Sequence, residues 1–345
     1  MMKKLVIKDI AEQLQVSKST ISFVLNGKAR QHGISIKLEN KILKYVEKVG
    51  YQPSRIAVGL STGKSKTIGM LVEDISDPFF SSIARVVERS ALSSGYRVIY
   101  GSTENDTVQA IDLLQAFRNH NVDGYIIAPP PGTENYIREL VADGFPVVVF
   151  DRDVPGLDCD KVLIDNFNGA LQAVEHLVDR QFKNIAMVTL LSKQNQMEER
   201  ANGYLKALND SGLVQRIKQI PYDLEKSKCV EQIRRFLAGQ KAIDAVFFST
   251  NYLALGGIEA IRQLGLQVAR DIGIVVFDDN TNFELFSPPI SAVAQPVKQI
   301  GEQVTEIMLS RLQSNTPAAF QRIVLKTNFI ARESTLSQPL KANVF

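Results

Sequence analysis

Beyond residue 66 the chain is punctuated by eight short apolar runs: TIGMLVE, RVIYGST, GYIIAP, PVVVFD, VLID, NIAMVTL, DAVFFST and IGIVVFDD. They are continuous rather than alternating, and the stretches between most of them are long enough for crossover helices. Strands buried on both faces and joined by helices form parallel sheets, so this part of the chain is constrained to an α/β architecture. Eight strands exceed one comfortable sheet, and the rhythm breaks near Asp160 to Asn166. Two similar, doubly wound α/β subdomains are expected.

In open parallel sheets a ligand sits beyond the carboxyl ends of the strands, so polar residues there are the candidates for binding. Asp151 follows PVVVF, Asn251 follows FFST and Asp278 follows IVVF, while Phe79 and Phe80 follow the first strand through EDISDP and Arg200 begins RANGYLKAL. Carboxylates, an amide and a guanidinium present paired acceptors or donors that match neighbouring sugar hydroxyls, and a phenyl face covers the C–H side of a sugar ring. Each aspartate could instead be a helix N-cap, and each phenylalanine a core residue. Convergence of the whole set on one cleft would favour binding.

The first 66 residues are a different object. They carry 13 Lys and Arg against 4 acids, a charge of +9, which leaves −6 on the remainder although the whole chain is only +3. A basic head on an acidic body points to a polyanionic partner that touches the head alone. Ile7, Ile10, Ala11 and Leu14 form one apolar stripe at helical spacing. After Ser17, a natural N-cap, Ile21, Val24 and Leu25 form a second, ended by Gly27. A third helix is expected from about Ser35 to Gly50, after the loop KARQHGI. The stripes are narrow and sized for mutual packing, whereas a membrane-surface helix needs a broad apolar face edged with Lys and Arg. Nucleic acid is therefore the expected partner and a membrane is not. The second helix presents Lys18, Ser19, Ser22 and Asn26 outward with Phe23 beside them, a small polar face suited to a major groove.

Other classes have little support. No apolar run approaches the roughly 20 residues needed to span a bilayer, and the opening MMKKLVIKDIAEQL meets Asp9 and Glu12 before any secretory pattern develops. Three histidines, at 32, 120 and 176, and two cysteines, at 159 and 229, have no metal or disulfide spacing. That usage fits a reducing cytoplasm. GxGxxG after the first strand, GxxxxGK[ST] and HExxH are all missing. No catalytic residue, metal or cofactor is expected.

The ordered set IKDIAEQLQVSKSTISFVLNGK, VEKVGYQPSRIAVGLSTGKSKTIGMLVEDISDPFF, VDGYIIAP, PVVVFDR, IDNFNGA, NIAMVTL, RANGYLKAL, DIGIVVFDD and AQP resembles the LacI/GalR family of bacterial transcription regulators along nearly the whole chain. The resemblance implies a helix-turn-helix domain over 1–52, a hinge over 53–62, and an effector-binding and dimerisation domain over 63–345 resembling periplasmic sugar-binding proteins. Its two subdomains would cover about 66–163 with 293–322, and about 164–292 with 323–345, the chain crossing near 164, 293 and 322. It also implies a cytoplasmic homodimer, most simply a repressor, that binds double-stranded operator DNA and answers to a small molecule. A sugar is the first expectation for that effector and a purine or nucleoside the other.

By the same resemblance Lys18, Ser19 and Phe23 occupy base-reading positions, Thr20 and Ser22 suit phosphates, and Ser17 and Asn26 complete the DNA-facing set. Phe23 replaces the polar or basic residue most relatives carry. Contact with a thymine methyl and packing against the third helix or the KARQHGI loop, which is longer than usual, are both open. Leu60 matches the hinge residue that wedges into the minor groove and Ala57 its small neighbour, while Val58 and Gly59 replace a more usual Arg-Ser pair. The matching cleft residues of relatives hold effectors. A different reading, a solute receptor of an uptake system, would need the body alone.

Overall fold

The computed structural model describes residues 6–51, 63–222, 224–240, 242–314 and 318–336. The chain divides into two compact units, residues 1–66 and 67–345.

In the smaller unit, α1 (Ile7–Leu14), α2 (Lys18–Leu25) and α3 (Ile36–Lys48) enclose Ile10, Ala11, Leu14, Ile21, Val24, Ala29 and Ile42. The local chemistry fixes the ends of these helices. Ser17 Oγ accepts from the Thr20 amide at 3.0 Å and Ser35 Oγ from the Leu38 amide at 3.3 Å, each satisfying a donor that has no partner inside its helix. Gln15 turns out of α1 with φ +53°, and Gly27 follows α2 at φ +68°. So few buried apolar side chains leave this unit with a small stabilising term.

The larger unit holds two six-stranded sheets. The first is built from β1 (Thr67–Val72), β2 (Arg97–Ser102), β3 (Gly124–Ile127), β4 (Val147–Phe150), β5 (Asp160–Ile164) and β11 (Arg322–Leu325), in the order β11-β5-β4-β3-β1-β2 and parallel throughout. Helices α4 (Pro78–Ser93), α5 (Thr107–Asn119), α6 (Glu134–Ala142) and α12 (Val297–Gln313) accompany it. The second contains β6 (Ile185–Leu190), β7 (Ile217–Ile220), β8 (Ala245–Phe248), β9 (Gly273–Phe277), β10 (Ser291–Ala294) and β12 (Asn328–Ile330), ordered β12-β10-β9-β8-β6-β7, with only β12 antiparallel. Its main helices are α7 (Asn166–Asp179), α8 (Asn195–Asp210), α9 (Lys226–Gly239) and α10 (Asn251–Gln263), with the short α11 (Thr281–Leu285) after β9.

Twelve strands are thus present among the described residues, against the eight runs visible in the sequence. The chain passes from one lobe to the other three times. The second passage lies between Ala294 and Val297, and the third between Leu325 and Asn328, both later than the expected 293 and 322. The shift arises because β10 stays whole in the second sheet and β11 completes the edge of the first beside β5.

Helices α7 and α8 approach each other closely enough to exclude a side chain. A Cβ on Gly203 of α8 would lie 2.4 Å from the backbone oxygen of Phe167 in α7 and 2.9 Å from Ala170 Cβ. Only glycine lets the two helices pack this tightly, and α8 carries Arg200 one turn away.

Candidate functional site

The carboxyl ends of β1, β4, β8 and β9 open onto one cleft between the lobes, and Phe79, Phe80, Asp151, Arg200, Asn251 and Asp278 all line it. Asp151 and Asp278 stand directly after β4 and β9 and share an unusual backbone, φ +66° and +77°. The left-handed region disfavours a side chain with a Cβ, although aspartate tolerates it better than most, and such residues collect at binding sites. Here it turns the chain sharply at the sheet edge and leaves both carboxylates in the cleft. Neither aspartate is a helix cap; that role falls to Asp77, whose Oδ1 accepts from the Phe79 amide at 2.8 Å.

Arg200 is 2% exposed. Its Nε donates to Asn166 Oδ1 at 2.9 Å, and Nη1 donates to the Ser249 carbonyl at 2.7 Å and to Asp278 Oδ2 at 3.1 Å. The guanidinium carbon lies 3.7 Å from the centre of the Phe277 ring. A buried guanidinium held this fully is a fixed cation that orients Asp278. Gln295 donates to the other oxygen of that carboxylate at 2.5 Å.

The phenylalanines divide their roles. Phe80 belongs to the core of the first lobe, edge-on to Phe150 with centroids 6.3 Å apart, whereas Phe79 is half-buried and meets Phe80 edge-on at 4.9 Å. Asn251, at the start of α10, reaches across the cleft, its Nδ2 donating to Asp77 at 3.2 and 3.3 Å. A second bridge joins Gln194 Nε2 to Asn105 Oδ1 at 2.9 Å.

Several lining residues were not among those expected from the sequence. Arg152, 4% exposed, donates to Asp151 Oδ2 at 3.3 Å, to Asn105 Oδ1 at 2.8 Å and to Glu73. Its signal was present, an arginine immediately after the strand-end aspartate of PVVVFDR. Gln196 and Gln295 line the cavity too, and the Oε1 atom of each is buried without a hydrogen-bond partner among the described residues. No local pattern marked either glutamine.

Burial dominates the electrostatics. It raises the Asp151 carboxyl to about 7, helped by Asp278 and Asp77 and opposed by Arg200. It also raises Asp77 and lowers Arg152 to about 10.

In the smaller unit Lys18 and Ser19 are exposed at the start of α2. The Thr20 hydroxyl is bonded to Ser17 Oγ at 2.8 Å, and Ser22 Oγ accepts from Asn26 Nδ2 at 3.3 Å. Phe23 stacks on His32 of the KARQHGI loop, ring centres 3.5 Å apart and planes within 9°. Packing against the loop is therefore what the structure shows for this side chain. Ala57 and Leu60, with the rest of the expected hinge over 53–62, lie outside the described residues.

Residues 6–54 match the family model for bacterial regulatory proteins, lacI family, and residues 174–335 match the model for a periplasmic binding protein-like domain. Over 335 residues, 96% of this chain and 98% of the relative, the sequence is 30% identical to the ribose operon repressor of Haemophilus influenzae. The chain belongs to the LacI family. A second relative, the HTH-type transcriptional regulator RegA of Clostridium saccharobutylicum, is 31% identical over 334 residues, 96% of this chain and 99% of that protein. Among solved structures, a LacI family transcriptional regulator from Enterococcus faecium with bound ribose aligns with TM-score 0.71 and 26% identity over 80% of this chain and 100% of its own. The lac repressor dimer bound to operator and an anti-inducer shares the fold at TM-score 0.81 over 97% of this chain and 100% of that one, with 22% identity. As a LacI-family member the chain is a DNA-binding transcription regulator. A solute receptor is set aside, because the likeness to regulators runs through head and body together.

Proposed function

We propose that this LacI-family member is a cytoplasmic, homodimeric repressor without enzymatic activity, and that its effector is a small, neutral sugar held in the cleft between the lobes. The observation that carries the effector class is an excess of acceptors. Glu73, Asp77, Asp151 and Asp278 line the cavity with Arg152, whose three guanidinium nitrogens all donate to protein oxygens, and Arg200, whose Nε and Nη1 do so, and the Gln196 and Gln295 Oε1 atoms have no partner among the described residues. Buried acceptors left unpaired are costly, so the ligand that fits is one that donates. A sugar brings several hydroxyl donors and an apolar face for Phe79. A phosphate or carboxylate brings only acceptors, and adds charge where carboxylates already outnumber guanidiniums. The ribose held by the Enterococcus faecium relative agrees with this reading.

The head reads DNA through α2, with Lys18 and Ser19 on base edges and two heads on a dyad matching a pseudo-palindromic operator. An effector changes DNA affinity only by binding the DNA-competent and incompetent states unequally. The lobe-to-lobe bonds Asn251–Asp77 and Gln194–Asn105 belong to a closed cleft, and a ligand beside them shifts the balance between closed and open lobes.

A thermal-shift screen of the full chain against pentoses, hexoses, sugar phosphates, sugar acids and nucleosides tests the assignment. A neutral sugar at about 100 times its Kd adds roughly 2.7 kcal/mol of stability. Stabilisation by phosphorylated or acidic sugars alone would overturn the effector class.

A further inference from the structure

Phe23 lies on the outward side of α2 with Lys18 and Ser19, yet it has no polar atom with which to address a base. Its ring is covered by another that has. His32, carried by the loop between α2 and α3, packs directly on Phe23 and lies parallel to it with centres 3.5 Å apart. Face-to-face packing of two flat rings fixes the plane of the outer one and leaves its edge open. The His32 side chain is exposed, and neither ring nitrogen has a hydrogen-bond partner among the described residues. The loop that carries it is itself anchored: Ala29 is 1% exposed in the core of the head, the Ile34 amide donates to the Ala29 carbonyl at 2.9 Å, and the His32 amide donates to the Lys28 carbonyl at 3.3 Å. A donor mounted on a braced loop, held flat against the reading helix, is pre-organised for recognition and costs little ordering entropy on binding.

We infer that His32 is a specificity-determining residue. Seated on Phe23, it widens the reading surface of α2 and donates from a ring nitrogen to an acceptor on the major-groove edge of a base, guanine N7 or O6 being the best matched. Phe23 is then a positioning residue that acts through His32. The inference rests on the head's role in reading DNA, and its test separates the two claims.

The full-length protein is used to select its binding sites from a random duplex library, and the selection is repeated with His32→Phe and with Phe23→Leu. His32→Phe keeps a flat ring for the stack and removes both nitrogens. Expected is a loss of preference at one base position, with affinity for the wild-type site falling roughly tenfold to hundredfold and binding to random duplex unchanged. Phe23→Leu, which takes away the seat and keeps the imidazole, is expected to blur the same base position and no other. Wild-type base preferences retained in His32→Phe would overturn the inference. So would an equal loss on selected and random duplexes, the mark of a phosphate contact, or an effect of Phe23→Leu confined to a different position. Failure of the wild type to select any sequence would instead overturn the DNA-reading role of the head.

Discussion

Replacing Asp151 by asparagine is expected to stabilise the protein while weakening its response to effector. Asp151 is 8% exposed and its carboxyl is raised to about 7, against 3.8 for the free side chain. In the native state it therefore holds its proton up to about pH 7, whereas the unfolded chain releases it near pH 4. Between those values the native state binds the extra proton, so stability falls as pH rises and the full penalty is present above pH 7. A difference of about three pKa units, already net of the opposing Arg200 charge, corresponds to about 4 kcal/mol. A net cost of about 2 to 4 kcal/mol at about pH 8 results. Asparagine has the same shape, still offers Arg152 an oxygen, and has no charge to bury. Urea unfolding of the full chain and of Asp151→Asn should accordingly show a variant more stable by about 2 to 4 kcal/mol at about pH 8 and by no more than about 1 kcal/mol at about pH 4.5, where the unfolded carboxyl is only beginning to be fully ionised. A stability difference that is the same at both pH values would refute the assignment of the penalty to a buried ionising carboxyl. Effector affinity should fall, since a strong acceptor is lost from the cleft.

Gly203→Ala should destabilise by about 1 to 3 kcal/mol despite alanine's better helix propensity, because the new methyl meets a backbone oxygen that cannot swing aside; calorimetry decides, and a raised Tm would contradict the packing argument. Asp278→Asn keeps the size of the side chain but leaves a single oxygen where Arg200 and Gln295 each donate to a separate one, and should lower effector affinity roughly tenfold or more by titration calorimetry while leaving operator affinity in the absence of effector unchanged; unaltered effector binding would remove Asp278 from the site. Lys18→Ala should lower affinity for the selected operator by about 1 to 3 kcal/mol with no change in effector binding, and identical binding curves on operator DNA would count against its base-reading role.

The parts of this fold that could be foreseen are those whose physics is local. Strands β1, β3 to β6, β8 and β9 were readable because continuous apolar runs are what a strand covered on both faces needs, and β2, an edge strand only partly covered, was readable from its own run Val98-Ile99-Tyr100. The four others lack that signature: β7 is an edge strand with Ile217 38% exposed, β11 and β12 are edge strands only partly covered, and β10 is Ser-Ala-Val-Ala, buried but too small in side chain to announce itself. The cleft followed the same division. Asp151, Asn251 and Asp278 sit at strand ends, where the parallel-sheet rule directs attention, and all three line the cavity. Gln295 arrives from the passage between lobes and Gln196 from the first turn of α8, so their meeting depends on how two lobes close, which no window of sequence encodes. For Phe23 the sequence left packing against the loop open beside contact with a base, and the stack on His32 meets the packing alternative; which loop residue covers the ring depends on how the loop folds.

The central claim is that one chain couples a sequence-reading head to a sugar-binding cleft. It is tested most directly by fluorescence anisotropy of the full-length protein on its selected operator, on random duplex, and on both with a saturating neutral sugar identified by thermal shift. The prediction is operator binding roughly a thousandfold or more tighter than binding to random duplex, changed severalfold or more by the sugar in the wild type and unchanged by the same concentration in Asp278→Asn. Equal affinity for the two duplexes, or an operator affinity indifferent to a ligand that demonstrably occupies the cleft, would contradict it.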